Sequence, residues 1–188
     1  MNTYHHNNLK NELLERGLKM IREQGINGLS LRSLARACKV SEAAPYSHFK
    51  NKDDFLEQMK SYVTKKLYDR LLEASLSRSG PSCILEMGKA YIEFALRQPD
   101  YFNFLFNQAD IQIDLSMNSQ GHFSPFSLFR DKSYEVYRAL GYGDDSIKFG
   151  IISMWTQVHG IAIIASMKSV DKDFEWMDVL ERLLVEKK

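Results

Sequence analysis

The chain has 188 residues, of which 44% are hydrophobic and 26% are charged, and its formal net charge is +1. This composition is typical of a folded globular protein and excludes a disordered one. The longest clearly apolar run, residues 161–165, is far shorter than the roughly 20 residues that cross a bilayer, and the N-terminus lacks the apolar core of a signal peptide. We therefore expect a cytoplasmic protein without a membrane partner.

Charge and cysteine content narrow the range of partners. Residues 1–60 hold ten Lys and Arg against seven Asp and Glu, whereas residues 61–188 hold fifteen against seventeen. A modest basic excess at one end suits contact with nucleic-acid phosphates. Cys38 and Cys83 have no Cys or His partner at metal-ligand spacing. His5 and His6 are adjacent in the sequence, but two histidines near a chain terminus do not by themselves predict a metal site. We therefore predict reduced thiols, no metal and no cofactor.

Apolar residues recur at helical spacing almost everywhere, which predicts an all-α fold of about nine helices. Gly25 suits a left-handed cap at the end of the first helix, and Ser30 and Ser41 suit the N-caps of the next two. Pro45 falls in the first turn of the third helix, so it shortens that helix without forbidding it. The first three helices are therefore predicted over residues 8–24, 30–38 and 41–49.

The rest of the chain is divided by turn-forming residues. The stretch SRSGPS at 77–82 is the strongest boundary, and residues 107–123 predict a loop. This gives three regions, with boundaries at 1–55, 56–80 and 81–188. The remaining helices are predicted over residues 52–74, 82–98, a short aromatic stretch from 99, and then 124–140, 144–168 and 173–186.

Residues 30–49 place two short helical segments on either side of a tight turn. This is the layout of a helix-turn-helix, which lays its second helix in the DNA major groove. Small residues suit the approach to the groove, and hydrogen-bonding residues suit phosphates and base edges. The pattern alone also fits two core helices of a bundle with an ordinary solvated tip. The candidate DNA-contacting residues are Arg32, Glu42, Ala43, Ala44, Tyr46, Ser47, His48 and Lys52.

Each residue type in this set suits a particular part of the duplex. The two alanines suit a thymine methyl group, Glu42 suits a cytosine amine, and Arg32 suits a phosphate or a guanine edge. The tyrosine, the histidine and the lysine suit phosphates.

The segment from about Leu9 to Lys60 resembles the DNA-binding domain of the TetR family of bacterial transcriptional regulators. The resemblance rests on the Gly25-containing end of the first helix, on SLRSLARACKVS, and on YSHFKNKDDFL. It implies DNA contacts for Arg32, Ala43, Ala44, Tyr46, His48 and Lys52. It also implies that residues 1–55 bind DNA, that 56–80 connect, and that 81–188 bind an effector and dimerise. Lys39 stands where the family often has glycine, so it must adopt the turn geometry itself.

The C-terminal region carries a second, smaller resemblance. Trp155, His159 and Gly160 resemble the tryptophan–histidine–glycine signature of one TetR subclass. His159 suits either a structural hydrogen bond or a direct contact with a ligand.

Aromatic residues are plentiful in the same region and suit an apolar pocket for a hydrophobic or aromatic small molecule. Core packing alone explains the same residues equally well. The candidate pocket residues are Tyr91, Phe94, Phe102, Phe106, Phe126, Phe129, Trp155 and His159.

A helix-turn-helix protein reads two half-sites about 34–36 Å apart, so we expect a homodimer on a palindromic operator. The last two helices have apolar stripes that would form a four-helix bundle with a second copy. The candidate interface residues are Ile151, Val158, Ala162, Ala165, Met177, Leu180 and Leu184.

The predicted function is that of a one-component repressor that a small hydrophobic or aromatic effector releases from its operator. One alternative is a helical interaction or co-regulator module that has kept the fold but has lost DNA binding and the ligand response. An all-α enzyme with His159 as general base is disfavoured, because the chain has no nucleophile elbow, phosphate loop, metal motif or paired carboxylates at suitable spacing.

Overall fold

The structure, a computed structural model, describes residues 3–116, 123–167, 169–170 and 173–185. In these ranges every regular element is helical and no strand occurs, so the predicted all-α class is confirmed. The α-helices are α1 (Thr3–Gly28), α2 (Leu31–Ala37), α3 (Lys52–Ser77), α4 (Pro81–Arg97), α5 (Pro99–Asn103), α6 (Ser124–Ala139), α7 (Asp144–Ser166) and α8 (Trp176–Val185).

The prediction of nine helices is close to the eight α-helices of the described ranges. The third predicted helix is a short 3₁₀ helix, Ala44–Ser47, and Phe104–Gln108 forms a π-helical turn. The bounds differ most at the first helix, which runs from Thr3 and bends at Gly25, where φ is 74°. The last helix begins at Trp176, three residues later than predicted, and residue 186 lies outside the described residues.

The chain forms two compact units whose division differs from the predicted one. Unit 1 comprises the residues up to Val63 together with Asp100–Asp110, and unit 2 comprises Thr64–Pro99 and the described residues from Ile111 onwards. Helix α3 passes from one unit into the other without a break. The predicted boundary at residues 77–82 is only the turn between α3 and α4, because a polar turn marks a change of direction and not the limit of a core.

Unit 1 is built on a close approach of α1 to α3. A Cβ atom added to Gly17 would lie inside van der Waals distance of the Phe55 ring and 2.9 Å from Cε of Met59. The two α3 side chains are fully buried. Glycine at position 17 therefore sets the separation at which the helices of unit 1 pack.

The segment from residue 100 to residue 110 is held in unit 1 by polar contacts. The Tyr62 hydroxyl donates a 2.5 Å hydrogen bond to the Glu15 carboxylate, and the Tyr101 hydroxyl donates to the same oxygen. Arg22 also pairs with Asp100 at 3.1 Å. Burial, together with the hydrogen bond to the carboxylate, raises the pKa of Tyr62 to about 12.

Unit 2 is organised around the pair α4 and α7, with α6 and α8 packed beside them. Helix α7 has 23 residues and is long and apolar enough to cross a membrane by length and composition alone. One face of it, which includes Ile151, Trp155 and Ala162, is buried in unit 2. Burial therefore accounts for the apolar character of that face of α7.

Candidate nucleic-acid interface and apolar cavity

Local hydrogen bonds fix both ends of α2. The Ser30 hydroxyl accepts the Ser33 N–H at 3.1 Å, and the Ser33 hydroxyl accepts the Ser30 N–H at 3.0 Å, which completes a capping box. Lys39 has φ of 57°, in the left-handed region, and the Val40 N–H bonds to the Ala35 carbonyl at 3.0 Å. This is a Schellman-type ending with a lysine where glycine is the usual residue. The predicted N-cap at Ser30 and the predicted turn at Lys39 are confirmed.

The segment after the turn is not the α-helix over 41–49 that the sequence predicts. The Ser41 side chain caps nothing; its carbonyl accepts the Ala44 N–H at 2.9 Å, and the 3₁₀ helix begins there. The cause is Pro45, which has no N–H to donate to the Ser41 carbonyl as an α-helix requires. The Pro45 carbonyl in turn accepts the Phe49 N–H at 2.9 Å. Residues 41–49, which we call the recognition segment, are therefore short and tightly turned.

Most of the predicted DNA-contacting side chains lie at the surface of unit 1. Five are exposed, and Tyr46 keeps 51% of its surface. The Ser47 hydroxyl donates to the Ala44 carbonyl at 2.7 Å, which leaves its oxygen able to accept a hydrogen bond. We call the exposed five, Arg32, Glu42, Ala43, Tyr46 and Ser47, the recognition surface; Ala44, His48 and Lys52 are half-buried beside it.

Lys52 has a structural contact that the sequence did not reveal. Its ammonium donates to the Ile26 carbonyl at 2.6 Å and so ties the start of α3 to the end of α1. An ammonium has three N–H donors, so a phosphate can still be bound by the other two.

The start of α3 is fixed by its own cap. The Asn51 side chain accepts the Asp54 N–H at 2.8 Å, and the Asp54 carboxylate accepts the Lys50 N–H at 2.8 Å. That backbone hydrogen bond lowers the pKa of Asp54. The cap holds the backbone that follows the recognition segment.

Arg36 is a charged residue near this surface that sequence reasoning missed. Its guanidinium donates two hydrogen bonds to one oxygen of Glu42, at 3.2 and 2.8 Å, and the other oxygen lies 4.0 Å from Nε of Arg32. The signal in the sequence is the spacing of the two arginines, which are four residues apart on one face of α2. The structure thus brings Arg32 and Glu42 together, with Arg36 bound to the same carboxylate.

Unit 2 contains a small apolar cavity between its helices. The volume open to a water-sized sphere is about 20 Å³, little more than one water needs. Three of its lining residues, Tyr91, Phe129 and Trp155, belong to the predicted pocket. The full lining is Leu71, Ile84, Met87, Gly88, Tyr91, Phe129, Met154, Trp155 and Val158.

The other predicted pocket residues do not line this cavity. Phe102 and Phe106 lie in unit 1, with ring centroids 4.8 Å apart, because the segment that carries them packs there. Phe94 and Phe126 are buried in unit 2, and Phe126 stacks edge-on against Trp155 at 5.0 Å. Aromatic content alone could not separate these groups, because it does not say which helix face meets which neighbour.

His159 is bonded to a residue of the cavity wall. A 2.8 Å hydrogen bond joins its Nδ1 to the hydroxyl of Tyr91, and its ring lies parallel to that of Trp155 within 5°. Burial lowers the pKa of His159, so the imidazole is neutral at pH 7. These contacts are those of a structural histidine, which was one of the two roles that the sequence allowed.

Several predicted dimer residues face inward. Ile151, Val158, Ala162 and Leu180 are buried in unit 2, because the larger apolar face of α7 packs on α4 and the stripe of α8 packs inward as well. A helix surrounded by apolar residues does not reveal which face meets its own subunit. Ala165 and Met177 are half-buried, and the Leu184 side chain lies outside the described residues.

Another face of α7 is exposed and apolar. Phe149, Ile163 and Ile164 keep 68%, 37% and 43% of their surface, and Thr156 is exposed between them. A Cβ added to Gly160 would meet no atom within 4 Å. At about 3.6 residues per turn, positions 149, 156, 160, 163 and 164 fall on one side of the helix, which we call the outer face of α7.

Potential metal ligands are not gathered anywhere in the described ranges: no group of three or more His, Cys, Asp or Glu lies together there. The side chains of His5 and His6 fall outside the described residues.

Residues 13–59, which span α1, α2, the recognition segment and the start of α3, match the model of the bacterial regulatory proteins of the tetR family. The match covers about a quarter of the chain and shows which family this segment is similar to. The tetR-type segment covers the whole helix-turn-helix, including the capped turn at Lys39.

The chain is also similar to an uncharacterized HTH-type transcriptional regulator, YobS, of Bacillus subtilis (strain 168). The two are 28% identical over 80 residues, which are 43% of this chain and 42% of YobS. The matched part of the chain thus spans about two fifths of the length of this curated relative. The family and this relative are transcriptional regulators and not enzymes.

Two solved structures extend the likeness to the whole fold. The TetR-family regulator PfmR of Thermus thermophilus is 16% identical, with a TM-score of 0.65 over 92% of this chain and 96% of PfmR. AibR, solved with isovaleryl coenzyme A and operator DNA, is 17% identical, with a TM-score of 0.65 over 93% of this chain and 97% of AibR. The fold is TetR-like over nearly its full length.

Proposed function

We propose that this protein is a cytoplasmic, homodimeric, one-component repressor that binds a palindromic operator and releases it when a small apolar effector binds. The observation that carries the proposal is the exposed recognition surface on a tetR-type helix-turn-helix. The surface combines small residues with hydrogen-bonding ones, as contact with a groove and its phosphates requires.

DNA binding is tested by fluorescence anisotropy with a labelled duplex from the promoter beside the protein's own gene. We expect salt-sensitive, sequence-selective binding, because neutralised phosphates release counterions. Tyr46→Phe is expected to weaken it several-fold. Tyr142→Phe is the matched control, since Tyr142 is exposed to 55% in unit 2. Equal affinity of the unaltered protein for any duplex would contradict operator binding.

The effector is proposed to enter the cavity of unit 2. Its lining is apolar, so an uncharged hydrophobic or aromatic molecule is favoured over an ion. Met87 and Met154 are flexible side chains in the wall, and their movement would enlarge a space that has room for about one water molecule. AibR, which shares the fold, binds an acyl coenzyme A, so a short acyl group is a second ligand class to test.

Toluene is a suitable probe of this cavity. We expect it to raise the midpoint of thermal unfolding, since a ligand that binds only the folded state stabilises that state. Ile84→Phe, which fills the cavity, is expected to abolish the shift. A shift that persists in the filled variant would place the toluene elsewhere. Native mass spectrometry of the purified protein would reveal a retained natural effector.

Dimerisation is proposed to use the outer face of α7. Its large apolar side chains flank Thr156 and Gly160, which would let a second helix approach closely. Ile163→Glu is expected to convert the dimer into monomers in sedimentation equilibrium. Ser166→Glu, an exposed position on another side of α7, introduces the same charge and should leave the dimer intact. Dimers that survive Ile163→Glu would contradict this interface.

Coupling between effector and DNA is proposed to run through the covalent connections of the two units. Helix α3 begins in unit 1 and carries Leu71, a cavity residue, in unit 2. Binding that shifts this helix would change the spacing of the two recognition segments in a dimer. A ligand that favours the released state tenfold contributes about 1.4 kcal/mol of coupling. We also propose that the C-terminal region belongs to the tryptophan–histidine–glycine subclass. Trp155 lines the cavity, and His159 forms a hydrogen bond with Tyr91 in the cavity wall.

The alternative of a helical co-regulator module predicts a different outcome. Such a protein would show no salt-dependent DNA binding, and Tyr46→Phe would change nothing. The exposed tyrosine and the remaining donors of Lys52 favour the DNA-binding function over this alternative.

A further inference from the structure

Three charged side chains form one cluster on the exposed side of the helix-turn-helix. Glu42 accepts two hydrogen bonds from Arg36, the shorter one 2.8 Å long, and lies 4.0 Å from Nε of Arg32. We call these three residues the Arg–Glu–Arg cluster. It links the two halves of the motif, since the arginines belong to α2 and the glutamate precedes the 3₁₀ helix.

The cluster is not needed to hold the fold together. The side chains of Arg32, Arg36 and Glu42 are exposed to 73%, 74% and 52%. Ion pairs at this level of exposure contribute little to stability, because water screens the charges and the side chains lose entropy. The backbone hydrogen bonds at Lys39 and Val40 already fix the turn, and the capping box at Ser30 fixes the start of α2.

In this cluster the carboxylate of Glu42 occupies N–H donors of Arg36 that could otherwise bind a DNA phosphate. A guanidinium binds a carboxylate or a phosphate through the same planar set of N–H donors. Glu42 occupies two such donors of Arg36 and neutralises part of the positive charge of both arginines. The hydrogen bond from Arg36 lowers the pKa of Glu42, so the carboxylate is ionised at neutral pH.

We propose that Glu42 acts as an internal phosphate substitute that restrains Arg32 and Arg36 from binding DNA of arbitrary sequence, and so determines specificity. The inference rests on the proposed DNA-binding function. A DNA phosphate that engages Arg36 through its Nε and Nη2 edge must displace the carboxylate and leave its negative charge near the DNA backbone. In a complex of the wrong sequence this carboxylate has no new partner, whereas a correctly placed cytosine amine can donate a hydrogen bond to it.

The test compares Glu42→Gln with Glu57→Gln in the full-length protein. Glu57 is an exposed glutamate of unit 1 that pairs with Lys60 at 2.7 Å. Both variants gain one unit of charge, and Glu57→Gln loses its pair with Lys60 whereas Glu42→Gln loses its pairs with Arg36 and Arg32. Fluorescence anisotropy is recorded with an arbitrary duplex and with the promoter duplex, between about 50 and 200 mM salt. Circular dichroism spectra and melting curves check that both variants are folded.

We expect Glu42→Gln to raise affinity for the arbitrary duplex about three- to tenfold above that of Glu57→Gln. The slope of log K against log salt should become more negative by about 1 for each arginine freed. Affinity for the promoter duplex should rise less, so the ratio of the two affinities falls. Adding Arg36→Gln to Glu42→Gln should remove most of the gain.

Other outcomes overturn the inference in distinguishable ways. If the two glutamate variants behave alike while the unaltered protein binds DNA, this inference fails and the proposed function stands. If Glu42→Gln binds the promoter more weakly with an unchanged salt slope, Glu42 reads a base and restrains nothing. If the unaltered protein binds no duplex, both the inference and the proposed function fail.

Discussion

The candidate DNA-binding site and the candidate effector site differ in the kind of side chains that form them. The recognition surface of unit 1 is held by short polar contacts, such as the Ser30–Ser33 capping box and the bond from Lys52 to the Ile26 carbonyl. The cavity of unit 2 is lined by apolar side chains, with the Tyr91–His159 hydrogen bond in its wall. A surface that meets a fixed array of phosphates needs a fixed backbone, whereas a cavity for an apolar ligand needs side chains that can move.

The same contrast appears in the helix contacts. Unit 1 brings α1 and α3 so close that a Cβ atom at position 17 would overlap the side chains of Phe55 and Met59. Unit 2 leaves the outer face of α7 open around Gly160. Substitutions that add or remove volume should therefore act differently in the two units.

The largest expected effect comes from emptying the aromatic wall of unit 2. Trp155→Ala removes a ring that contacts Tyr91 and Phe126 at centroid distances of 5.2 and 5.0 Å. We expect the free energy of unfolding to fall by about 3–5 kcal/mol, measured by urea denaturation with circular dichroism. Trp155→Phe should cost clearly less. Equal losses in the two variants would mean that the indole adds nothing to the packing.

The tight contact of unit 1 gives the next largest effect. Gly17→Ala should destabilise the protein by about 1–3 kcal/mol, because the added methyl group meets Phe55 and Met59. Gly150→Ala adds the same methyl group to a helix with no atom within 4 Å, and it should stabilise by up to about 1 kcal/mol. Two stabilising substitutions would show that α1 and α3 can separate freely.

A smaller effect is expected at the left-handed turn. Lys39→Gly should raise the free energy of unfolding by about 1 kcal/mol, since glycine adopts a φ of 57° without a Cβ clash. Lys39→Ala removes the same charge but keeps the Cβ atom, so it should give no gain. Thermal denaturation of both variants decides whether the strain or the charge matters.

The smallest expected effects are pH-dependent and differ between the units. The pKa of Tyr62 is raised to about 12 in the folded state, so its stabilising contribution is present below pH 10 and is lost as pH rises through 12. The pKa of His159 is lowered from 6.5, so its contribution is present above that pH and is lost as pH falls below it. In Tyr62→Phe, the free energy of unfolding should therefore fall less steeply as pH rises above 10. In His159→Asn, it should fall less steeply as pH drops below 6.5.

Tryptophan fluorescence offers a local readout of the acid effect, because Trp155 and Trp176 both lie in unit 2. Tyr91→Phe is the control there: it removes the hydrogen bond but leaves His159 able to titrate. If the free energy of unfolding falls at acid pH in His159→Asn as much as in the unaltered protein, another group is responsible for the fall.

The elements that the sequence predicted well are those fixed by neighbouring residues. Ser30 caps α2 through an N–H three residues away, and Lys39 ends it through bonds that span five residues. The predicted third α-helix is wrong for an equally local reason, because Pro45 has no N–H to donate to the Ser41 carbonyl. A proline in a four-residue segment leaves too few donors for an α-helix.

The sequence could not predict which candidate site residues are buried or in which unit they lie, because both depend on contacts between distant segments. Ile151 and Val158 were predicted at a dimer surface but are buried, while Phe149 is exposed on the same helix. A helix that is apolar on most sides gives no periodic signal to say which face turns inward. Phe102 shares the composition of the cavity residues, but its segment packs in the other unit.

By itself, the sequence determined the all-α class and the helix-turn-helix with its cap at Ser30 and its turn at Lys39, because these follow from backbone hydrogen bonds and side chains within a few positions of one another. Only the tertiary structure decided that residues 100–110 join the first unit, that the outer face of α7 is the exposed one, and that Glu42 holds two arginines. Each of those depends on which surfaces meet, and that choice is made by packing over the whole chain.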